Sequence, residues 1–161
     1  MDKSVETLIL NHHVCNDESF TVLELSSFTN LTVLEVGDYS FAYVNDVMIT
    51  GFRELVKVAI GNHCFTMGEE EEEDETEHHF IVKDCERLRE LRIGFDSFKF
   101  CSLCEIENDP SLKVIEIGDL KEGMPSFGRA SLKLKSEWEG MRVMSRFVVL
   151  RDCVDWCGLI L

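Results

Sequence analysis

The stretch LRELRIGFDSFKFCSLCEIEND, Leu88 to Asp109, repeats a pattern that occurs earlier in the same chain. Fifty-seven residues before it stands LTVLEVGDYSFAYVNDVMITGF, Leu31 to Phe52. Leucines, a glycine, the pair Ser-Phe and an isoleucine fall at the same places in both stretches. Recurrence of this kind indicates a repeat architecture, in which each unit packs on its neighbours along one axis.

The pattern L-x-x-L-x-[IVL] marks the start of five units at near-constant intervals. The starts are Val5, Leu31, Leu55, Leu88 and Leu112, at intervals of 26, 24, 33 and 24 residues. The long interval exceeds 24 by nine, which is the length of the run Glu69 to Glu77. We therefore predict that this acidic run is a loop insertion. Its acids are Glu69, Glu70, Glu71, Glu72, Glu73, Asp74, Glu75 and Glu77.

Each unit contains two short stretches of regularly spaced apolar residues, too short for helices. Period-two alternation over so few residues predicts strands. The first stretches are Val5-Leu8-Leu10, Leu31-Leu34-Val36, Leu55-Val58-Ile60, Leu88-Leu91-Ile93 and Leu112-Ile115-Ile117. The second stretches are Leu23-Leu25, Val47-Ile49, Phe80-Val82, Cys104-Ile106 and Leu132-Leu134.

Turn-forming residues follow both kinds of predicted strand. Asn11 follows the first strand of the first unit, and a glycine stands at that place in the other four, namely Gly37, Gly61, Gly94 and Gly118. Glycine and asparagine tolerate positive φ, so we predict sharp left-handed turns at these positions. A phenylalanine then recurs at Phe41, Phe65 and Phe98, which we predict to fill the core at the bend. The second strands end near Ser27, Gly51, Asp84, Asn108 and Ser136.

Two strands in about 24 residues, without helical periodicity, predict a mainly β solenoid of about five parallel coils. We expect a single domain over 1–161, with regular coils over 5–136, the insertion over 69–77 and a degenerate last coil or cap over 137–161. A sixth first-strand is predicted at Met144 to Val149, with Met144, Phe147 and Val149 facing inward. The alternative, that the chain is cut short before further coils, stays open.

Charges support this alignment, which was set on apolar residues alone. Equivalent outward residues of parallel neighbours lie about 4.8 Å apart, where opposite charges attract. Each of five such neighbouring pairs combines opposite signs. They are Lys57 with Glu90, Arg92 with Glu116, Lys83 with Glu107, Glu107 with Lys135, and Glu105 with Lys133.

The units resemble leucine-rich repeats of the BspA-like kind, whose pattern is L-x-x-L-x-I-G-x-x-[SAC]-F. LTVLEVGDYSF, LVKVAIGNHCF and LRELRIGFDSF are the close copies, and the resemblance covers Val5 to Ser136. The fifth unit delays its Ser-Phe to Ser126-Phe127, and the first unit lacks the glycine. The resemblance implies a non-catalytic scaffold for protein–protein interaction. Its binding positions would be the outward residues Val33, Glu35, Lys57, Ala59, Glu90, Arg92, Val114 and Glu116.

Composition and net charge limit the classes of partner that the protein is expected to bind. The 161 residues carry a net charge of −15, which disfavours binding to phosphate backbones and to anionic membranes. We expect a protein partner, with a basic one favoured, and no nucleic acid, membrane span or cofactor. The N-terminus does not resemble a secretory signal, and the seven cysteines are odd in number. Both features predict a cytoplasmic protein with free thiols.

Cysteines and histidines offer weaker alternatives. Cys101 and Cys104 form a C-x-x-C without a second ligand pair, and we interpret them, like Cys153 and Cys157, as packing residues. Histidine groups at His12-His13 with Cys15 and at His63-Cys64 are minor metal candidates. Glu75, Glu77, His78 and His79 are the strongest one. An acidic metal-binding protein and a fragment of a larger surface or adhesion protein therefore remain as rival functions.

Overall fold

The apolar stretches form short strands in the computed structural model of the chain. The structure describes residues 4–66, 78–118, 126–127, 130–135, 147–150 and 159–160, which contain eleven strands and no helix. In chain order the strands are β1 Thr7–Leu10, β2 Val33–Val36, β3 Val47–Thr50, β4 Lys57–Ile60, β5 His79–Lys83, β6 Glu90–Ile93, β7 Leu103–Glu107, β8 Val114–Ile117, β9 Ser131–Lys135, β10 Phe147–Leu150 and β11 Leu159–Ile160.

The strands build two parallel sheets. The first sheet has six strands in the order β1-β2-β4-β6-β8-β10, and the second has five in the order β11-β9-β7-β5-β3. From β2 onward, successive strands alternate between the two sheets. The prediction of a mainly β protein with parallel strands is confirmed.

Strand register follows the apolar alignment of the sequence. In the first sheet Leu34 pairs with Val58, Val58 with Leu91, and Leu91 with Ile115. The step from Val58 to Leu91 spans the acidic run, which itself lies outside the described residues. The first sheet therefore keeps one register on both sides of that run. The alternate residues of β2, β4 and β6 are buried and belong to one apolar core.

One predicted strand is absent. Residues Leu23 to Leu25 form no strand, and the only β contact in that part of the described chain is an isolated bridge between Val22 and Asp46. Leu25 nevertheless packs in the core with 3% of its surface exposed. An outermost segment gains ladder hydrogen bonds on one side only, so the apolar contact persists where regular pairing does not.

The prediction for the sixth strand of the first sheet is right in place and wrong in register. β10 pairs with β8, as expected for the segment Met144 to Val149. However, Phe147 pairs with Val114 and Val149 with Glu116, which are outward positions of the sheet. Val148 and Leu150 pair with Ile115 and Ile117 instead. The segment lacks the glycine that follows this strand in the second to fifth units, and the apolar alignment placed it one residue out of register.

The glycines after the first-sheet strands serve close backbone packing. Only Gly51 among the described glycines has a positive φ, at 72°. A Cβ atom on Gly94 would lie 2.5 Å from the carbonyl carbon of Gly61, closer than any real contact. The prediction of left-handed glycines is therefore wrong at these positions. Left-handed backbone occurs two and four residues later, at Tyr39 and Phe41, His63 and Phe65, and Asp96 and Phe98.

The recurring phenylalanines form a stack inside the molecule, which we call the phenylalanine ladder. Ring centroids of Phe41 and Phe65 are 5.4 Å apart, those of Phe65 and Phe98 are 4.5 Å apart, and those of Phe98 and Phe127 are 4.9 Å apart. All four side chains are buried. The predicted core-filling role is confirmed, and Phe127 takes the same place despite its delayed position in the sequence.

A buried hydroxyl or thiol precedes each phenylalanine and satisfies backbone groups. The Ser97 hydroxyl accepts a hydrogen bond from the Cys64 N–H at 3.0 Å and donates one to the Gly61 carbonyl at 2.9 Å. The Cys64 thiol donates to the Gly37 carbonyl at 3.2 Å. Small side chains with a donor fit this site because the neighbouring backbone is too close for anything larger.

Candidate interaction surfaces

The eight predicted binding residues lie together on the outer face of the first sheet. They lie at alternate positions of β2, β4, β6 and β8, opposite the buried positions of the same strands. Pairing sets them side by side, for example Val33 with Lys57 and Glu35 with Ala59. They form two rows, Val33, Lys57, Glu90 and Val114 in one, and Glu35, Ala59, Arg92 and Glu116 in the other.

Ion pairs on this face neutralise much of its charge. The Arg92 guanidinium contacts both Glu116 and Glu90, as the predicted adjacency of Arg92 and Glu116 requires. Lys57 pairs in register with Glu90, yet its ammonium bonds Glu35 at 2.7 Å. These side chains are about half exposed, so each pair stabilises the fold by roughly 0–1 kcal/mol.

A shallow hollow of about 360 Å³ lies on this face at the ends of β1, β2 and β4. Ala59, Gly37 and Gly61 line it and contribute almost no side-chain volume, which explains the depression. Ile9 borders the hollow with 63% of its surface exposed, and Glu35 supplies a carboxylate. An apolar wall beside a charged group is the arrangement that anchors a partner side chain.

The outer face of the second sheet is divided between charged and apolar residues. Lys83 and Glu107 are paired in register and bonded at 2.9 Å, which lowers the pKa of the Glu107 carboxyl and raises the pKa of the lysine. Glu105 is in register with Lys133, as predicted, and bonds Lys135 at 3.5 Å.

Toward β3 the same face carries several apolar side chains among polar ones. We call the residues Val22, Met48, Ile81 and Leu103 the second-sheet apolar patch. Met48 and Ile81 are paired neighbours, and Leu103 lies on the next strand. This patch was not predicted from the sequence, because only charged outward positions of the second strands were compared between units. Apolar residues at outward places in successive units were the signal that would have found it.

The described cysteines are packing residues in this structure. Cys104 is in register with Phe80, which pairs with Val47, so it occupies the predicted inward place. Burial raises the pKa of the Cys101 thiol to about 12 and that of Cys104 well above its usual value. Such thiols stay protonated and are poor nucleophiles and metal ligands. Cys153 and Cys157 lie outside the described residues.

Three of the described histidines, His12, His63 and His79, each pair with a single carboxylate. His63 Nδ1 is 2.9 Å from Asp96, and His79 Nδ1 is 3.0 Å from Asp46. In the described part of the chain, no three His, Cys, Asp or Glu side chains come together as metal ligands. Of the strongest predicted set, Glu75 and Glu77 lie outside the described residues, and His78 is buried.

No protein-family model, curated protein or solved structure matches this chain. The resemblance to leucine-rich repeats and the cytoplasmic location therefore stay predictions. The described ranges hold no helix long and apolar enough to cross a membrane.

Proposed function

We propose that the chain is a leucine-rich-repeat solenoid of the BspA-like kind that acts as a non-catalytic scaffold for protein–protein interaction. Contacts account for the repeated letters of the pattern. The aliphatic positions fill the core between the sheets, as Leu91 and Ile93 do. The glycine permits close backbone approach, the small donor bonds the neighbouring backbone, and the phenylalanine joins the ladder.

The proposal that the protein binds a partner rests on the outer face of the first sheet. Its residues differ from strand to strand in size and charge, while the buried residues between them stay aliphatic. Outer side chains can therefore be exchanged without disturbing the core, which is how repeat proteins acquire specific partners. The hollow beside Ile9 and Ala59 gives this face a concave point where a partner side chain can be desolvated.

Affinity capture from the native cell extract, followed by calorimetry with the purified partner, tests this function. Ala59→Arg fills the hollow, and we expect it to weaken binding by about tenfold or more, or at least 1.4 kcal/mol. Ser131→Arg makes the same change of charge at an exposed position of the second sheet and is the matched control. We expect it to change affinity by less than about threefold.

Deletion of the acidic run separates the rival explanations. If a partner binds the first sheet, the protein lacking Glu69 to Glu77 retains it, and only Ala59→Arg weakens it. Loss of all captured proteins on deletion would instead assign binding to the run. The proposed function fails if no protein is captured specifically by the intact chain. Circular dichroism and thermal melting of each variant check that the fold is kept.

A further inference from the structure

The first third of the chain has an unbalanced charge. Residues 4–52 contain no lysine or arginine and seven acids, Glu6, Asp17, Glu18, Glu24, Glu35, Asp38 and Asp46. In contrast, residues 53–66 and 78–118 together contain eight lysines and arginines against nine acids. The negative field of this protein is therefore strong around the first described strands and weak farther along the two sheets.

Exposed apolar side chains concentrate in the same region. Val22 is 61% exposed and Met48 is 55% exposed, and both belong to the second-sheet apolar patch. Ile81, the register partner of Met48, extends the patch, and Leu103 lies beside His79 on the next strand; both are half-buried. Contiguous apolar side chains on the outside of a sheet indicate a contact surface more than single ones do.

Carboxylates border this patch. The backbone of Asp46 forms the isolated β-bridge with Val22. The Asp46 side chain is 50% exposed and accepts a hydrogen bond from the His79 N–H. Glu24, two residues after Val22, is exposed, and one of its oxygens accepts the Ser26 N–H. Along β5 the first cation after Ile81 is Lys83, whose ammonium is bonded to Glu107. Asp46 also lies 3.0 Å from the His79 ring nitrogen, and residues 4–52 contain no lysine or arginine.

From this combination we propose that the second-sheet apolar patch docks a basic segment of a partner protein, with apolar side chains flanked by lysines or arginines. The apolar side chains would cover Val22, Met48 and Ile81, and the cations would pair with Asp46 and Glu24. Charge complementarity selects this partner, because an acidic segment meets repulsion at both carboxylates. The surface lies on the opposite sheet from the one in the proposed function and does not depend on it.

Binding of synthetic peptides to the full chain, followed by NMR of isotope-labelled protein, tests the proposal. The probe is a soluble peptide of about twelve residues that combines lysine, leucine and serine, in the manner of apolar anchors with charged flanks. One analogue replaces each lysine by glutamate, and another replaces each leucine by serine. We expect the probe to shift the signals of Val22, Met48 and Ile81. The glutamate analogue should shift none of them, and the serine analogue should bind about tenfold more weakly.

Two substitutions locate the site. Met48→Lys places a cation in the patch and should weaken the probe by about tenfold or more. Ile9→Lys makes the same charge change at an exposed apolar residue of the first sheet and should alter affinity by less than about threefold. Met48→Ser removes the apolar contact without adding charge and should also weaken binding of the probe. It therefore tests the proposal even if Met48→Lys unfolds the protein.

Three results would overturn the proposal. Equal losses of probe affinity for Met48→Lys and Ile9→Lys would show that the effect comes from net charge alone. Equal affinity of the serine analogue would remove the apolar patch from recognition. Loss of the probe on deletion of Glu69 to Glu77 alone would place binding in the acidic run. None of these results bears on whether the outer face of the first sheet binds a partner, which the Ala59→Arg experiment decides.

Discussion

The turns that follow the two sheets repeat to different degrees. After the first-sheet strands the chain repeats a glycine, a buried serine or cysteine and a buried phenylalanine, as in Gly94, Ser97 and Phe98. After the second-sheet strands the left-handed residues are Gly51, Asp84 and Asn108, and the buried residues that follow them are a phenylalanine, a cysteine and an aspartate. The turn after the first sheet repeats its residue types, whereas the turn after the second sheet repeats only its backbone conformation.

Contact between neighbouring segments explains this difference. At the first turn a Cβ on Gly94 would meet the backbone of Gly61 at 2.5 Å, and the phenylalanine rings touch from strand to strand. At the second turn a Cβ on Gly51 would meet nothing within 4 Å. The first turn is therefore constrained by backbone and ring contacts between neighbouring units. The second turn keeps a residue with positive φ, while the groups that contact its neighbours change, as in the hydrogen bond from the Cys85 N–H to Asp109. Sequence repetition is strictest where neighbouring backbones approach most closely.

The largest expected effect is loss of a ring from the phenylalanine ladder. Phe98 stacks on Phe65 and Phe127 and also contacts Phe80 at 4.6 Å, so Phe98→Ala leaves a cavity bordered by three rings. We expect the free energy of unfolding to fall by about 4 kcal/mol, measured by urea denaturation.

Phe52→Ala is the matched change in the second turn, where the corresponding residues Cys85 and Asp109 are not aromatic. Phe52 is 8% exposed. We expect Phe52→Ala to lower the free energy of unfolding by less than Phe98→Ala does, with a difference of about 1 kcal/mol or more. Equal losses at the two positions would contradict the view that the first turn is the more constrained one.

A smaller effect is expected from adding a methyl group to a glycine. Gly94→Ala forces two backbone segments apart and should lower the free energy of unfolding by about 3 kcal/mol, at the upper end of overpacking effects. Gly51→Ala meets open space at φ 72° and should lower it by about 1 kcal/mol, through backbone strain alone. Thermal melting of the two variants under one condition measures the difference. The explanation of the glycines by close packing is wrong if Gly51→Ala is the more destabilised.

The same contrast explains which features the sequence predicted well. The triplets such as Leu88-Leu91-Ile93 predicted the first-sheet strands and their register, because each inward side chain must match its neighbours. The glycines were located correctly but for the wrong reason, since a sequence does not distinguish close approach from positive φ. Leu23 to Leu25 shows the strand alternation and still forms no strand, because pairing at an edge depends on neighbours that a local pattern does not include.

Candidate surfaces were predicted less completely than the core. The eight outer residues of the first sheet followed directly from the register. The hollow beside Ala59 did not, since its depth depends on small residues on or just after two neighbouring strands, Gly37, Ala59 and Gly61. Choice of ionic partner also depends on side-chain reach, which is why Lys57 bonds Glu35 while it stands in register with Glu90.

The last expected effect concerns the second turn and depends on pH. Asp109 is 2% exposed, and one of its oxygens accepts the Cys85 N–H at 2.8 Å, while the other has no hydrogen-bond partner. Burial, with a further contribution from the Asp84 charge, raises the pKa of the Asp109 carboxyl to about 6. Its place is taken by Cys85 and Phe52 in the neighbouring turns, which shows that the fold does not require a carboxylate there.

Because the pKa of Asp109 is higher in the folded state than the ordinary 3.8, the folded protein retains a proton that the unfolded chain releases between these values. This group therefore lowers the free energy of unfolding as pH rises from about 4 to about 6, and its penalty is constant above that range. Asp109→Asn keeps an oxygen for the Cys85 N–H and removes the charge. The variant should gain stability relative to the original chain as pH rises through this window, by up to about 3 kcal/mol, the equivalent of a shift from 3.8 to about 6. Urea denaturation of both proteins at several pH values from about 4 to about 8 measures the gain, and a difference that stays constant across that range would show that the buried carboxyl does not titrate as its surroundings imply.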